Sequence, residues 1–139
     1  MADRAAKFAA RLAARRARGA AARVSGRRRE ILAAILLMLK GYRILGFRLR
    51  TPEGEIDLLA QRGQVLAVVE VKSRATLEAA LEAVGATQRA RLRRAAKAIL
   101  ARRTRGGDLR LSVRLDLVAL APGSWPRHIP DAWRDGAVS

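Results

Sequence analysis

Four ionisable residues lie within two short, otherwise apolar segments of the chain. Glu55 and Asp57 belong to the first segment, and Glu70 and Lys72 belong to the second. Aliphatic and β-branched residues dominate both segments, which is typical of β-strands. Three carboxylates and an amine inside buried strands cost free energy unless they pair with each other or hold a metal ion. The sequence therefore predicts a site with a chemical role on these two strands.

A hairpin between residues 54–60 and residues 65–72 predicts which side chains share a face. Residues 62–63, Arg-Gly, suit the turn centre because glycine readily takes a positive φ. The resulting register pairs residues whose numbers sum to 125, so that Glu55 lies opposite Glu70. Because side chains alternate along a strand, this register puts all four ionisable residues on one face. The opposite face is then apolar and carries Ile56, Leu58, Ala67, Val69 and Val71.

Carboxylates clustered in this way repel each other and raise each other's pKa unless a cation lies among them. Hard oxygen ligands favour Mg²⁺ or Mn²⁺, so the cluster indicates a site for one of these ions. The alternative is cross-strand pairing of glutamate with lysine on a solvated face. Three acids and one lysine are a poor balance for such simple pairing.

The charge distribution predicts a polyanionic partner. The chain carries a net charge of +17, but residues 51–74 carry −1 between flanks of +6 over residues 24–50 and +5 over residues 75–108. A polyanion attracted to the flanks is thereby brought to the carboxylates. Nucleic acid is the partner that we expect, and an anionic membrane surface is the alternative. The longest apolar run, residues 31–39, is far shorter than the roughly 20 residues of a spanning helix, so we expect no membrane span.

The length and composition are typical of one small domain. We expect a basic Ala/Arg-rich arm over residues 1–24, flexible or helical, a domain over 25–121, and an irregular tail packed on it over 122–139. The arm also resembles an organelle transit peptide, although its near lack of serine disfavours this, and a natural start near Val24 is another alternative. The sequence has no cysteine, which excludes disulfides, zinc–thiolate sites and thiol catalysis and suits a reducing cytoplasm.

The hydrophobic pattern predicts the elements around the hairpin. Residues 27–40 are expected to form a largely buried helix whose apolar face carries Ile31, Leu32, Ile35, Leu36 and Leu39. A strand over 42–50 follows it, and helical residues over 76–104, with a break at Gly85, follow the hairpin. Residues 109–120 alternate like a long half-buried strand.

Three residues of the tail have less specific signals. Trp125 and Trp133 are expected to pack on the domain rather than to stack on bases, and His128, the only histidine, is expected to be a surface residue. A single histidine cannot by itself form a catalytic dyad.

The order of helix, three strands, helix and strand, with Asp57 thirteen residues before Glu70, Val71 and Lys72, resembles the PD-(D/E)xK nuclease superfamily. The resemblance implies a restriction-endonuclease-like α/β core in αβββαβ order, with a mixed sheet flanked by helices. More narrowly, residues 54–58 with residues 69–74 are similar to the YraN-like family of bacterial proteins. These are predicted nucleases related to archaeal Holliday junction resolvases. Segments 41–45 and 114–118 also match, so that the resemblance covers roughly residues 26–120.

The resemblance implies roles for the acidic residues and the lysine. Asp57 and Glu70 are expected to bind Mg²⁺ or Mn²⁺, with Glu55 as a further ligand or supporting acid. Lys72 is expected to position or activate the attacking water. Glu30 matches a first-helix glutamate that often completes such sites, and an acid that only complements the helix dipole is the alternative.

The basic side chains complete the predicted site. We expect a nucleic-acid interface formed by Arg50, Arg74, Arg89, Arg91, Arg93 and Arg94. Gln88 departs from the pattern, because the family usually has a lysine there, and Arg89 is the residue that could compensate.

Together these features predict a metal-dependent endonuclease that hydrolyses phosphodiester bonds of DNA, with branched or junction DNA among the candidate substrates. We expect it to act as a homodimer in the bacterial cytoplasm. The alternative is a non-catalytic nucleic-acid-binding protein on the same fold. A basic ribosome- or membrane-associated protein would explain the charge but not the acids.

Overall fold

A computed structural model of the chain describes residues 2–107 and 110–134, with side chains described for all of these except residue 2 and residues 17–25. Three helices and five strands follow one another along it. They are α1 (Ala2–Leu39), β1 (Arg43–Thr51), β2 (Gly54–Arg62), β3 (Val65–Ser73), α2 (Leu77–Glu82), α3 (Ala86–Arg105), β4 (Ser112–Leu120) and β5 (Arg127–Ile129).

The five strands form one sheet in the order β1-β2-β3-β4-β5. Strands β1, β2 and β3 are antiparallel neighbours, β4 runs parallel to β3, and β5 returns antiparallel to β4. A parallel pair needs a crossover connection, and α2 with α3 supplies it. The structure thus confirms the predicted α/β class, because this mixed sheet flanked by helices is consistent with a restriction-endonuclease-like fold.

Helices cover both faces of the sheet. Helix α1 packs Ala33, Ala34 and Leu37 against one face, where they meet β2, β3 and β4. Helix α3 packs a stripe of Leu92, Ala95, Ala96 and Ile99 against the other face. This stripe is the one that the sequence predicts, and the predicted break at Gly85 is confirmed, since Gly85 is the N-cap of α3. Within the described ranges, no helix is both long and apolar enough to cross a membrane.

Helix α1 differs from its prediction in length and in its buried face. It runs for 38 residues, about 57 Å at the usual helical rise. Its expected apolar face is largely exposed, with Ile35 at 43% and Leu39 at 82%. The small Ala33 and Ala34 instead let the helix approach the sheet closely, and this turns the larger side chains outward.

The hairpin register also differs from the prediction. Arg62 pairs with Val65 and Leu58 pairs with Val69, so paired numbers sum to 127 rather than 125. The two-residue turn is therefore Gly63–Gln64, and Gly63 has a φ of +58°. The expected pairing of Glu55 with Glu70 was wrong by two residues, but a shift of two leaves every side chain on its predicted face unless the strand itself deforms.

Two expectations for the C-terminal part are corrected. Strand β4 is buried on both faces from Leu115 onward rather than half-buried. Helix α1 covers one face, whereas on the other face α3 covers Leu115 and α2 covers Leu117 and Ala119. Part of the tail is regular, since β5 pairs with β4. Trp133 packs against the core as expected, whereas Trp125 is 92% exposed.

Candidate metal and phosphodiester site

The candidate site lies at a fork, which is the point where strands β2 and β3 separate. Their backbone pairing ends at Leu58 opposite Val69. Just beyond this pair, Oδ2 of Asp57 accepts a hydrogen bond from the backbone N–H of Val71 at 2.9 Å. The carboxylate thus takes the place of a backbone carbonyl in the ladder. Regular alternation is broken here, because Ile56 packs with the core on the α3 side and not beside Leu58 as expected.

Glu70 extends from β3 toward α3, on the face that also carries Leu66 and Val68. Its side chain is 7% exposed. Its Oε1 accepts a hydrogen bond from Nε2 of Gln88 at 3.0 Å and lies 3.3 Å from Nζ of Lys72. The structure therefore brings together three of the predicted site residues and adds Gln88 to them.

Burial governs the electrostatics of the two acids. Burial, together with the nearby charge of Asp57, raises the pKa of Glu70 to about 7, while Lys72 and Arg91 act in the opposite direction. Burial likewise raises the pKa of Asp57, although the N–H of Val71 and the charge of Lys72 act in the opposite direction. One lysine does not compensate the buried Glu70 and the half-buried Asp57, so the pair favours an additional positive charge.

The donor set suits a small divalent cation that keeps part of its water shell. Among the residues with described side chains, no group of three or more His, Cys, Asp or Glu residues is arranged to hold a metal ion. Mg²⁺ is usually held by one or two carboxylates together with water and substrate phosphate oxygens. Asp57 and Glu70 meet that requirement. Glu55 is exposed and close enough for its charge to raise the pKa of Asp57.

Glu30 has a partner of its own. Both of its carboxylate oxygens accept hydrogen bonds from Nε of Arg48, at 3.0 and 2.9 Å. Arg48 lies on β1 and has a φ of +48°, which is uncommon for a residue with a side chain. Glu30 therefore links α1 to β1, and its predicted role in the site stays a prediction.

The four arginines of α3 that were predicted to bind nucleic acid lie on two flanks of the helix. Arg91 lies over Gly54 at the β1–β2 turn, where an added Cβ would come within 3.1 Å of its Cδ and Nη1, and Arg94 pairs with Glu53 at 2.9 Å. On the other flank, Arg93 donates to the backbone oxygen of Trp133 at 3.3 Å. Arg89 lines a cavity there together with Trp133. The four arginines that were expected to form one nucleic-acid interface are therefore divided between two sides of α3.

The remaining predicted arginines are exposed near the fork. Arg50 lies opposite Glu55 in the β1–β2 pairing. Arg74 follows β3 and donates from Nη1 to the backbone oxygen of Ser73 at 2.7 Å. Their exposure leaves them accessible to a polyanion, and their predicted role stays a prediction.

The expectation for His128 was wrong. Its side chain is 1% exposed, and its Nε2 lies 2.7 Å from Oδ2 of the fully buried Asp116. Arg114 donates two hydrogen bonds of 2.7 Å to the same carboxylate, and Lys40 lies 2.6 Å from Nδ1 of His128. The sequence signal was Asp116, an acid within a strand of apolar residues, which needs buried partners.

Comparison with known proteins places these residues in a family. Residues 29–120 match the family described as "Uncharacterised protein family UPF0102". A "UPF0102 protein" of Caulobacter vibrioides is 67% identical over 119 residues, which cover 86% of this chain and 94% of the relative. Another from Parvibaculum lavamentivorans is 51% identical over 131 residues, covering 93% of this chain and 97% of the relative. The matched region contains every residue of the candidate site.

Proposed function

The chain belongs to the UPF0102 family, and we propose that it is a metal-dependent nuclease of the PD-(D/E)xK superfamily that hydrolyses phosphodiester bonds of DNA. The observation that carries this proposal is the convergence of Asp57, Glu70 and Lys72 at the fork between β2 and β3. Nucleic-acid binding alone does not need two acids beside a lysine in a largely buried position. A metal-dependent phosphodiesterase uses such carboxylates to hold its cation.

Asp57 and Glu70 are the residues that would hold Mg²⁺ or Mn²⁺. Such an ion, when bound, polarises the phosphate and lowers the pKa of a coordinated water. The Nζ of Lys72 lies 3.3 Å from Glu70, where an ammonium group can stabilise the negative charge that develops on the attacked phosphate. Gln88 fixes the orientation of Glu70 through its 3.0 Å hydrogen bond.

The surroundings of the site are suited to a polyanion. The exposed part of α1 carries Arg4, Lys7, Arg11, Arg15 and Arg16. Arg91 and Arg94 lie on the flank of α3 that faces the β1–β2 turn, beside the carboxylates. A nucleic-acid substrate and a sequence without cysteine favour the bacterial cytoplasm as its compartment.

A non-catalytic nucleic-acid-binding protein is the second candidate, and one observation favours it. The resemblance to the YraN-like family implies a lysine where this chain has Gln88, and both Gln88 and Lys72 engage the same oxygen of Glu70. A Glu70 carboxylate held in this way could act as a structural acceptor. In that case the basic surfaces would carry the function.

A cleavage assay distinguishes the two candidates. Junction, flap, single-stranded and duplex DNA, and a matched RNA, are incubated with the protein in Mg²⁺, in Mn²⁺ and in a chelator. We expect cleavage of at least one DNA substrate that requires the divalent ion and is lost in Asp57→Asn. If the wild-type protein binds these substrates but cleaves none of them with either ion, the binding-protein function replaces the nuclease.

A further inference from the structure

The C-terminal part of α1, residues 31–39, has an apolar outer face that nothing within the described chain covers. Residues 31–39 contain no polar side chain. Ala33, Ala34 and Leu37 face the core. Five large side chains lie on the opposite side and are 43–82% exposed: Ile31, Leu32, Ile35, Met38 and Leu39. A helix that is apolar on all sides is normally buried on all sides, so this face is suited to a protein partner.

Strand β1 extends the same surface. Phe47 is 45% exposed and lines a groove of about 380 Å³ together with Ile31, Arg27, Glu30 and Arg48. The groove lies at the Ile31 end of the apolar face. Leu39, the most exposed of these side chains, protrudes at the opposite end. The surface therefore has a groove at one end and a projecting side chain at the other.

We propose that this surface, defined by Ile31, Leu32, Ile35, Met38, Leu39 and Phe47, is the interface of a two-fold homodimer in which α1 crosses α1 of a second copy at Ile35. An antiparallel crossing there pairs residues whose numbers sum to 70. Leu39 of each copy then lies over the groove beside Ile31 of the other. The two ends of one surface thus complement each other, which is the property that an isologous interface requires.

The exposed area is sufficient for a dimer of modest stability. Six large side chains, each about half exposed, present roughly 600 Å² per copy, so that two copies bury about 1,200 Å², the lower end of the range for specific interfaces. A second copy supplies a surface of matching size and chemistry without a further protein. This proposal does not depend on the nuclease activity.

The first test is the oligomeric state of the full chain by analytical ultracentrifugation over a range of micromolar concentrations, at moderate salt because the net charge of +17 opposes association. We expect a monomer–dimer equilibrium whose dissociation constant rises about tenfold or more in Leu39→Asp. Leu12→Asp is the matched control, since Leu12 is an exposed leucine of the same helix outside the surface. A wild-type monomer at every concentration overturns the proposal, and so does an equal effect of the two variants.

The absence of cysteine from the sequence permits a geometric test. Ile35→Cys places one thiol at the proposed two-fold axis, opposite the same thiol of the second copy. We expect a disulfide-linked dimer under mild oxidation, and no such product from Leu12→Cys. Equal cross-linking of the two variants contradicts the proposed interface.

Discussion

Oδ2 of Asp57 accepts the backbone N–H of Val71 at 2.9 Å, so a side chain of β2 takes the place of a backbone carbonyl in its pairing with β3. One carboxylate thus has two tasks. Its Oδ2 bonds the Val71 N–H at the point where the strands separate, and the carboxylate also meets the side chain of Glu70, whose hydrogen bond lowers the pKa of Asp57 against the effect of burial. Asp57 is therefore part of the fold as well as of the site.

This dual role decides which substitution is informative. Asp57→Asn keeps a carbonyl oxygen for the Val71 N–H, whereas Asp57→Ala leaves that donor without an acceptor. We expect Asp57→Ala to lower the free energy of unfolding by about 1–2 kcal/mol relative to Asp57→Asn. Urea denaturation of both variants measures the difference. Equal stability of the two would mean that the hydrogen bond contributes nothing to the fold.

The stability of the metal-free protein depends on pH through Glu70. Burial raises the pKa of Glu70 from 4.5 to about 7, so the folded protein binds a proton that the unfolded chain has already released in this window. The metal-free protein is therefore expected to lose stability, by up to a few kcal/mol, as the pH rises from about 4.5 to about 7. Glu70→Gln cannot ionise and is expected to lack most of this loss. Urea unfolding of the wild-type protein and of Glu70→Gln, in a chelator and at several pH values in this window, measures the two stability profiles. Parallel profiles would contradict the assignment of the pH dependence to Glu70.

Gln88 influences Glu70 through a neutral hydrogen bond. In Gln88→Lys an ammonium replaces the amide 3.0 Å from the carboxylate, so we expect the pKa of Glu70 to fall toward its ordinary range. The pH-dependent loss of stability is then smaller. Thr87→Lys adds the same charge on an exposed neighbour and serves as control. A profile for Gln88→Lys that matches the control would show that position 88 does not act on Glu70.

The arginines on the two flanks of α3 are expected to differ in role, one pair binding DNA and the other pair stabilising the fold. Arg91→Gln with Arg94→Gln is expected to weaken DNA binding and to reduce the slope of log affinity against log salt, by up to about 0.9 per lost phosphate contact. Arg89→Gln with Arg93→Gln is expected to lower the melting temperature with a smaller effect on that slope, because Arg93 holds the backbone of Trp133. Fluorescence anisotropy at several salt concentrations and thermal unfolding separate the two effects. The opposite assignment of phenotypes would contradict the structure.

His128 is expected to stabilise the C-terminal segment. His128→Ala removes one partner of the fully buried Asp116, which costs about 2–3 kcal/mol of unfolding free energy when the acid is charged. Trp125→Ala is the control, since Trp125 lies in the same tail and is 92% exposed. Denaturation curves of the two variants measure their losses of unfolding free energy. A loss no greater than that of the control would show that the network around Asp116 does not stabilise the fold.

The elements and the grouping of the acids could be predicted because they depend on local periodicity. Asp57, Glu70 and Lys72 come together since any hairpin with an odd register sum puts them on one face, and the structure has such a register. The stripe of α3 was equally regular. Which residues of β2 and β3 lie opposite each other depends on the two residues that form the turn. Gly63 suits both the expected turn at residues 62–63 and the observed turn at residues 63–64. Sequence spacing therefore determined the face but not the partner.

The failures concern residues whose surroundings are distant in sequence. The apolar pattern of residues 31–39 cannot show which side of a helix meets the sheet, and the small Ala33 and Ala34 decided this. His128 lies 12 residues from Asp116, and its burial follows from the pairing of β5 with β4, which the three prolines of the tail concealed. Both errors concern tertiary contacts and not local conformation.

The most direct test of the nuclease is a comparison of cleavage and binding on the same DNA. On the best substrate of the panel, we expect Asp57→Asn and Glu70→Gln to lose Mg²⁺- or Mn²⁺-dependent cleavage while they bind DNA as tightly as the wild-type protein or more tightly, because a negative charge near the phosphate is removed. Glu82→Gln, an exposed acid on α2, is expected to cleave normally. Cleavage by Asp57→Asn at the wild-type rate, or a wild-type protein that binds but never cleaves, would contradict the proposed function.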